Sequence, residues 1–198
     1  MITSRARAGE GYGARDREIG GGAGEMNELD AEWERRVAQA AEGARAAGRA
    51  DVADYLALRA TNDLARAVGV AWLLDLFTAL ADEAMLRGAD LRLARDDAHS
   101  FRVSRSTMTG ERLTLSAGLV RTLTVEAGWP RTPRDGIVRG NGLARARLTH
   151  FGDRAPDEEL LLVRAGDAAP RWLTLSESGA RTDFDEPRAR EHVAKLIG

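Results

Sequence analysis

Any chemistry in this chain has to come from three histidines, its serines and a large stock of carboxylates and guanidiniums, because the sequence has no cysteine. That excludes thiol catalysis, disulfides, Cys-ligated zinc and iron–sulfur clusters together. His99, His150 and His192 lie on separate segments, and none belongs to an HExxH or HxH pattern. His99 and His150 could meet across a sheet with Asp96 or Asp97 beside them, which would bring metal-binding side chains together. A strand-end histidine is more often simply hydrogen-bonded, so neither a metal nor a cofactor is expected. No serine sits in a GxSxG elbow, and Ser176 and Ser178 fall in a turn-like segment. Glu126, at the end of a strand next to Gly128-Trp129, is the best single acid. It supports an enzymatic alternative in which Glu126 is the acid/base and nearby arginines clamp a small anionic substrate. Thr61-Asn62-Asp63 admits two readings. Asn62 and Asp63 with Arg66 could line a pocket against a sheet, or the trio could cap one helix where it gives way to the next; the cap is favoured.

The richest region for binding is Arg121 to Arg154. Arg121, Arg131, Arg134, Arg139, Arg145, Arg147 and Arg154 stand against Glu126, Asp135 and Asp153, a local charge of +4 in a chain whose net charge is −2. Trp129-Pro130 and Pro133 mark a loop, and a loop tryptophan is a frequent interface anchor. Period-two spacing puts Arg145 and Arg147 on one face of a strand. Asn141-Gly142 reads as a hairpin turn that would bring Arg139 beside them. Trp129, Arg131, Arg134, Arg145, Arg147 and Glu126 are therefore the candidate binding residues for an acidic protein partner or an anionic ligand.

Composition limits the alternatives. The 198 residues are 43% hydrophobic and 30% charged, with 29 basic against 31 acidic side chains. This is neither a globally basic nucleic-acid-binding chain nor an acidic disordered one. All basic residues but Lys195 are arginine, a bias that a GC-rich genome explains as well as function does. No uninterrupted apolar run reaches the roughly 18 residues of a membrane span. The lack of cysteine favours a cytoplasmic location.

These side chains need a scaffold. Residues 1–25 hold seven glycines and no large apolar anchor, and read as a disordered leader. Asn27 is the expected cap of a first helix, ended by Gly48. Asp51 opens a second helix, and Gly69 to Leu86 forms a third, stopped by Gly88. The third carries Trp72, Leu73, Leu76, Phe77 and Leu80 and is the expected central core helix. After Gly88 the hydrophobic period changes to two: Leu91–Leu93, Phe101–Val103, Leu113–Ala117 and Leu123–Val125 alternate with polar residues. Thr109-Gly110 reads as a turn. Later strands are expected at 143–150, 159–164, 171–175 and 181–184, and Asp185 caps a last helix from Glu186 to Ile197.

The expected class is α+β: an N-terminal helical layer on an antiparallel sheet that curls toward a half-barrel, plus a C-terminal helix. Residues 26–198 form one domain, with a helical part at 26–88, a sheet at 89–184 and the helix at 185–198. The expected function is non-enzymatic binding or regulation through the arginine and tryptophan surface. The enzyme built on Glu126 is the first alternative and a nucleic-acid-binding module the second.

Overall fold

The computed structural model describes residues 22–152, 157–166, 168–176 and 178–198. The expected leader lies outside the described residues up to position 21; Gly22–Glu25 already belong to the first turn of helix α1, Gly22–Ala46, so Asn27 is not its cap. The helix ends as its glycine requires. Gly48 has φ +71°, Gly48 N–H donates to the Arg45 carbonyl, and Arg49 N–H donates to that of Ala44. Only glycine adopts this left-handed closure without strain. Gly88, φ +97°, repeats the device at the end of the next helix with bonds to Met85 and Ala84.

Between those two glycines runs one uninterrupted helix, α2, Ala50–Leu86, not the two expected. The polar trio fails to break it because the Thr61 and Asp63 side chains turn back onto the helix itself, while Asn62 reaches Arg164. Thr61 Oγ1 donates to the Ala57 carbonyl at 2.8 Å, and Asp63 pairs with Arg66 one turn on. Continuity also gives α2 a window of mean hydropathy 1.6, long and apolar enough by composition to cross a membrane; 44% of that window is buried within the fold.

The seven strands are β1 Leu91–Val103, β2 Ser106–Ala117, β3 Arg121–Trp129, β4 Ala144–Phe151, β5 Glu158–Val163, β6 Arg171–Leu175 and β7 Arg181–Asp183. They form one open antiparallel sheet in sequence order, so each strand pairs with the next. Helix α3, Glu186–Ile197, is capped by Asp185, whose carboxylate accepts from Arg188 N–H. The α+β layout is that expected.

One sheet face, here the inner face, holds Leu113, Leu115, Leu123, Val125, Leu148, Leu160, Leu162 and Trp172, all buried in the main core. Leu73, Leu74, Phe77 and Leu80 of α2 and Val193 and Leu196 of α3 close that core. Gly69 marks the tightest crossing. A Cβ there would lie 2.6 Å from a Leu162 methyl, and Trp172 Nε1–H donates to the Gly69 carbonyl at 2.8 Å. Trp72, expected in the core, is 45% exposed. It lies two residues, about 200° of helix rotation, from both buried Val70 and buried Leu74.

A bulge between Asp96 and His99 lets β1 change faces. Leu91 joins the main core, whereas Phe101 and Val103 pack with Met108 in a second small cluster on the outer face. Thr109-Gly110, expected as a turn, lies inside β2; the chain reverses instead at Ser104-Arg105, with Ser104 at φ +56°. The β3–β4 connection is also not the tight Asn141-Gly142 hairpin expected. Residues 130–143 form a long loop containing a short 3-10 turn at Pro133–Asp135. A Cβ on Gly142 would strike Leu161 at 2.1 Å, so the loop lies against the outer face of β5.

Candidate functional site

Antiparallel registration assembles the site on the outer face. Asp96 of β1 stands opposite Arg112 of β2, Arg112 opposite Glu126 of β3, Glu126 opposite Arg147 of β4, and Arg147 opposite Glu159 of β5. Five strands thus contribute one row of side chains of strictly alternating charge. Cross-strand neighbours on one face lie close enough to pair, and two of these four do, Asp96 with Arg112 and Glu126 with Arg147. Arg147 donates through Nε at 3.0 Å and Nη2 at 2.7 Å to the same Glu126 oxygen. Arg112 Nη2 donates to Asp96 at 3.2 Å.

His99 joins the row diagonally. Its cross-strand neighbour is Gly110, which in turn faces Gly128. At that pair β2 and β3 approach so closely that a Cβ on Gly110 would lie 2.1 Å from the Ala127 carbonyl. With no side chain on either glycine, His99 Nε2 reaches Glu126 Oε1 at 2.7 Å, and its Nδ1 lies 3.8 Å from Asp96. Stacking of the imidazole on Phe101, ring planes 5° apart, fixes its orientation.

Glu126 is buried and fully engaged. Burial alone would raise its pKa, but hydrogen bonds and charge from Arg147 and His99 prevail, and the carboxyl titrates below the ordinary range. Arg112 and Arg147 keep 41% and 37% of their side-chain surface exposed. Arg145 is more enclosed: its Nη1 donates to Glu159 at 3.4 Å, and burial with the nearby Arg181 charge lowers its pKa despite Glu159.

The expected binding residues therefore divide. Arg145 and Arg147 share the outer face, as their spacing predicts, and Glu126 lies on that face too. Trp129 does not join them. It is the last residue of β3, 8% exposed and part of the main core, with Arg131 lying 4.0 Å over its ring. The tryptophan is thus a core side chain with a cation–π lid, not an exposed loop anchor. Arg134 is exposed on the 3-10 turn, and Arg139 is exposed in the loop after it. Arg154 and Asp153 lie outside the described residues.

His99 and His150 do not meet: they occupy opposite faces of the sheet. His150 instead faces α3 within the inner layer. Its Nε2 lies 2.9 Å from His192 Nδ1, His192 Nε2 lies 2.7 Å from Glu158, and Thr174 donates to the other Glu158 oxygen at 2.7 Å. Burial opposes ionisation of Glu158, but the bonds from His192 and Thr174 with the Arg188 charge bring its pKa down to about 2. Among the described residues no group of three or more His, Asp or Glu side chains is placed to hold a metal ion.

Asp96, His99, Arg112 and Glu159 completed the row unanticipated. The signal was the β2–β3 turn. Once the reversal is set at Gly118–Val120, Ala117 pairs with Arg121, and counting back five residues on each strand places Arg112 opposite Glu126. No protein-family model, no curated protein and no solved structure matches this chain.

Proposed function

We propose that the protein is a non-enzymatic binding protein whose outer sheet face, centred on Arg112, Glu126 and Arg147, docks an acidic segment of a partner protein. The observation that carries this reading is the in-register row of alternating charges. Its carboxylates hold the arginines in place, so little side-chain entropy remains to be lost on binding. The exposed parts of the Arg112 and Arg147 guanidiniums supply further N–H donors, and one guanidinium has five to offer. From Asp96 to Glu159 the row sums to three acids and two arginines, with Arg145 beside it, which leaves the face close to neutral. Such a face offers short-range complementarity and little long-range steering, so association should depend weakly on salt.

The same chemistry weighs against the enzymatic alternative. A general acid at neutral pH needs a raised carboxyl pKa, and that of Glu126 is lowered. A neutral face also fits poorly with phosphate-tracking nucleic-acid recognition. The absence of cysteine is in keeping with a reducing, cytoplasmic setting for the interaction.

The test compares proteins captured from cells by the full chain with those captured by two folded variants. Arg112→Gln removes donors. Thr124→Arg adds bulk to the same face without breaking an ion pair. A partner retained by the wild type and lost by both variants supports the proposal. Capture profiles identical for all three proteins would refute it.

A further inference from the structure

Followed from Gly69 toward its N-terminus, α2 leaves the sheet one turn at a time. At Gly69 it touches Leu162 and Trp172. One turn earlier Arg66 reaches the strand end, its Nε donating to the Leu143 carbonyl at 3.0 Å. Another turn earlier Asn62 Oδ1 accepts from Arg164, the residue after β5, at 3.5 Å. Along this stretch of α2 lies a groove of about 240 Å³, lined by Tyr55, Leu58, Arg59, Asn62 and Arg66. These five positions form one helical stripe, so the groove follows from the 3.6-residue repeat of an unbroken α2.

The lining has two chemistries. Arg59 and Arg66, with Arg164 alongside, place three guanidiniums around the groove, and Asp63 is the carboxylate paired with the first two. Among the described residues the local excess is positive in a chain of net charge −2. Arg66 is held by a backbone carbonyl and a carboxylate, and Arg164 by an amide, so both are oriented before any ligand arrives. Tyr55 and Leu58 form an apolar wall, 62% and 57% exposed. Most sheet arginines described above are matched by a carboxylate on the next strand; here, among the described residues, the guanidiniums outnumber the acids and an aromatic ring stands beside them.

We propose that this groove binds a small organic oxyanion, a carboxylate or phosphate head group carried on a short apolar body. The head takes paired N–H donors from the guanidiniums, for which Arg geometry is suited. The body lies against Tyr55 and Leu58. The site is on the helix side of the sheet, away from the charged row, and stands independently of the partner-binding proposal.

Titration of the full chain with phenyl phosphate, benzoate and inorganic phosphate, followed by nuclear magnetic resonance, tests it. Saturable shifts of the Asn62 side-chain amide and the Arg66 and Arg164 Nε signals are expected with phenyl phosphate or benzoate. Whichever binds more tightly identifies the head group. Arg164→Gln should weaken that binding by about tenfold, the loss expected for one charge-assisted bond. It serves better than Arg66→Gln, which would also free the Leu143 carbonyl. Arg134→Gln, on the β3–β4 loop, should change nothing. Three results would overturn the proposal: no saturable shift at the groove, unchanged affinity in Arg164→Gln, or inorganic phosphate binding as tightly as both organic probes.

Discussion

His150 Nε2 and His192 Nδ1 lie 2.9 Å apart, and this contact joins β4 to α3 inside the protein. Because Glu158 is ionised and acceptor-only, His192 must donate to it from Nε2–H. A neutral His192 then has only a lone pair at Nδ1, so His150 must donate from its own Nε2–H. Both neutral rings are thereby set as Nε2–H tautomers. With both rings neutral, nitrogen-15 spectra should show protonated Nε2 on each. A protonated Nδ1 on neutral His192 would mean that the hydrogen-bond direction is reversed.

The same chain of contacts makes stability depend on pH in a defined direction. The Glu158 pKa is lowered from 4.5 to about 2 on folding, and that of Glu126 is lowered as well. A depressed carboxyl stabilises the fold above its unfolded pKa and loses that contribution as pH falls toward the folded value. Stability should therefore decline from about pH 4.5 toward pH 2, and Glu158→Gln should flatten part of the decline. Urea unfolding at stepped pH measures it; an unchanged acid limb in Glu158→Gln would contradict the assignment.

Core placement on α2 gives a sharper contrast. Leu73→Ala empties a fully buried position and should cost roughly 2–5 kcal/mol. Its neighbour Trp72 is nearly half exposed, so Trp72→Ala should cost about 1 kcal/mol or less despite the larger side chain. Thermal or chemical denaturation distinguishes them, and a larger loss for Trp72 would put the helix phase in error.

Gly69 and Trp172 test the crossing of α2 over the sheet. Trp172→Phe keeps an aromatic ring but removes the indole donor from the Gly69 carbonyl, which retains its intrahelical bond, at a cost of roughly 0.5–1.5 kcal/mol for the lost hydrogen bond. Gly69→Ala should destabilise too, because its methyl would press on the Leu162 side chain. If both variants melt like the wild type, the close approach is not a constraint on the fold.

These residues show how far the sequence could be read. Alternation placed the later strands and α3 within a residue or two, since period two and a capping aspartate are local signals. Thr61–Asp63 does not end the helix, because side chains that cap a helix end can equally well bond back along a continuing one. Trp129 illustrates the same limit on the sheet. Its neighbours Pro130 and Arg131 look like a loop, but strand parity from Leu123 through Val125 and Ala127 carries it to the inner face. The face shared by Arg145 and Arg147 was legible from spacing. Their partners were not, because partners depend on register, and register is set by turns at Ser104 and Gly118 that lack the usual hairpin dipeptides.

The two arginines that sequence spacing treats as equivalent should respond differently to charge reversal. Arg147 stands directly between Glu126 and Glu159, so Arg147→Glu would align three carboxylates on adjacent strands. It would also remove both guanidinium bonds to Glu126, leaving that buried carboxylate hydrogen-bonded within the row only to His99. A loss of roughly 1.5–3 kcal/mol is expected, the range for hydrogen bonds to charged groups. The direct neighbours of Arg145 are Gly128 and Leu161, neither of them charged. Arg145→Glu would lose the longer contact to Glu159, and the Arg181 charge, which now opposes Arg145, would become attractive. Arg145 is the more enclosed of the two and a glutamate there would sit beside Glu159, so its reversal is not a free surface change, but with Arg181 as a new partner it should cost less than Arg147→Glu. Urea denaturation of the two single variants at neutral pH measures the difference. Equal losses would mean that registration across β3, β4 and β5 does not govern the energetics of this face.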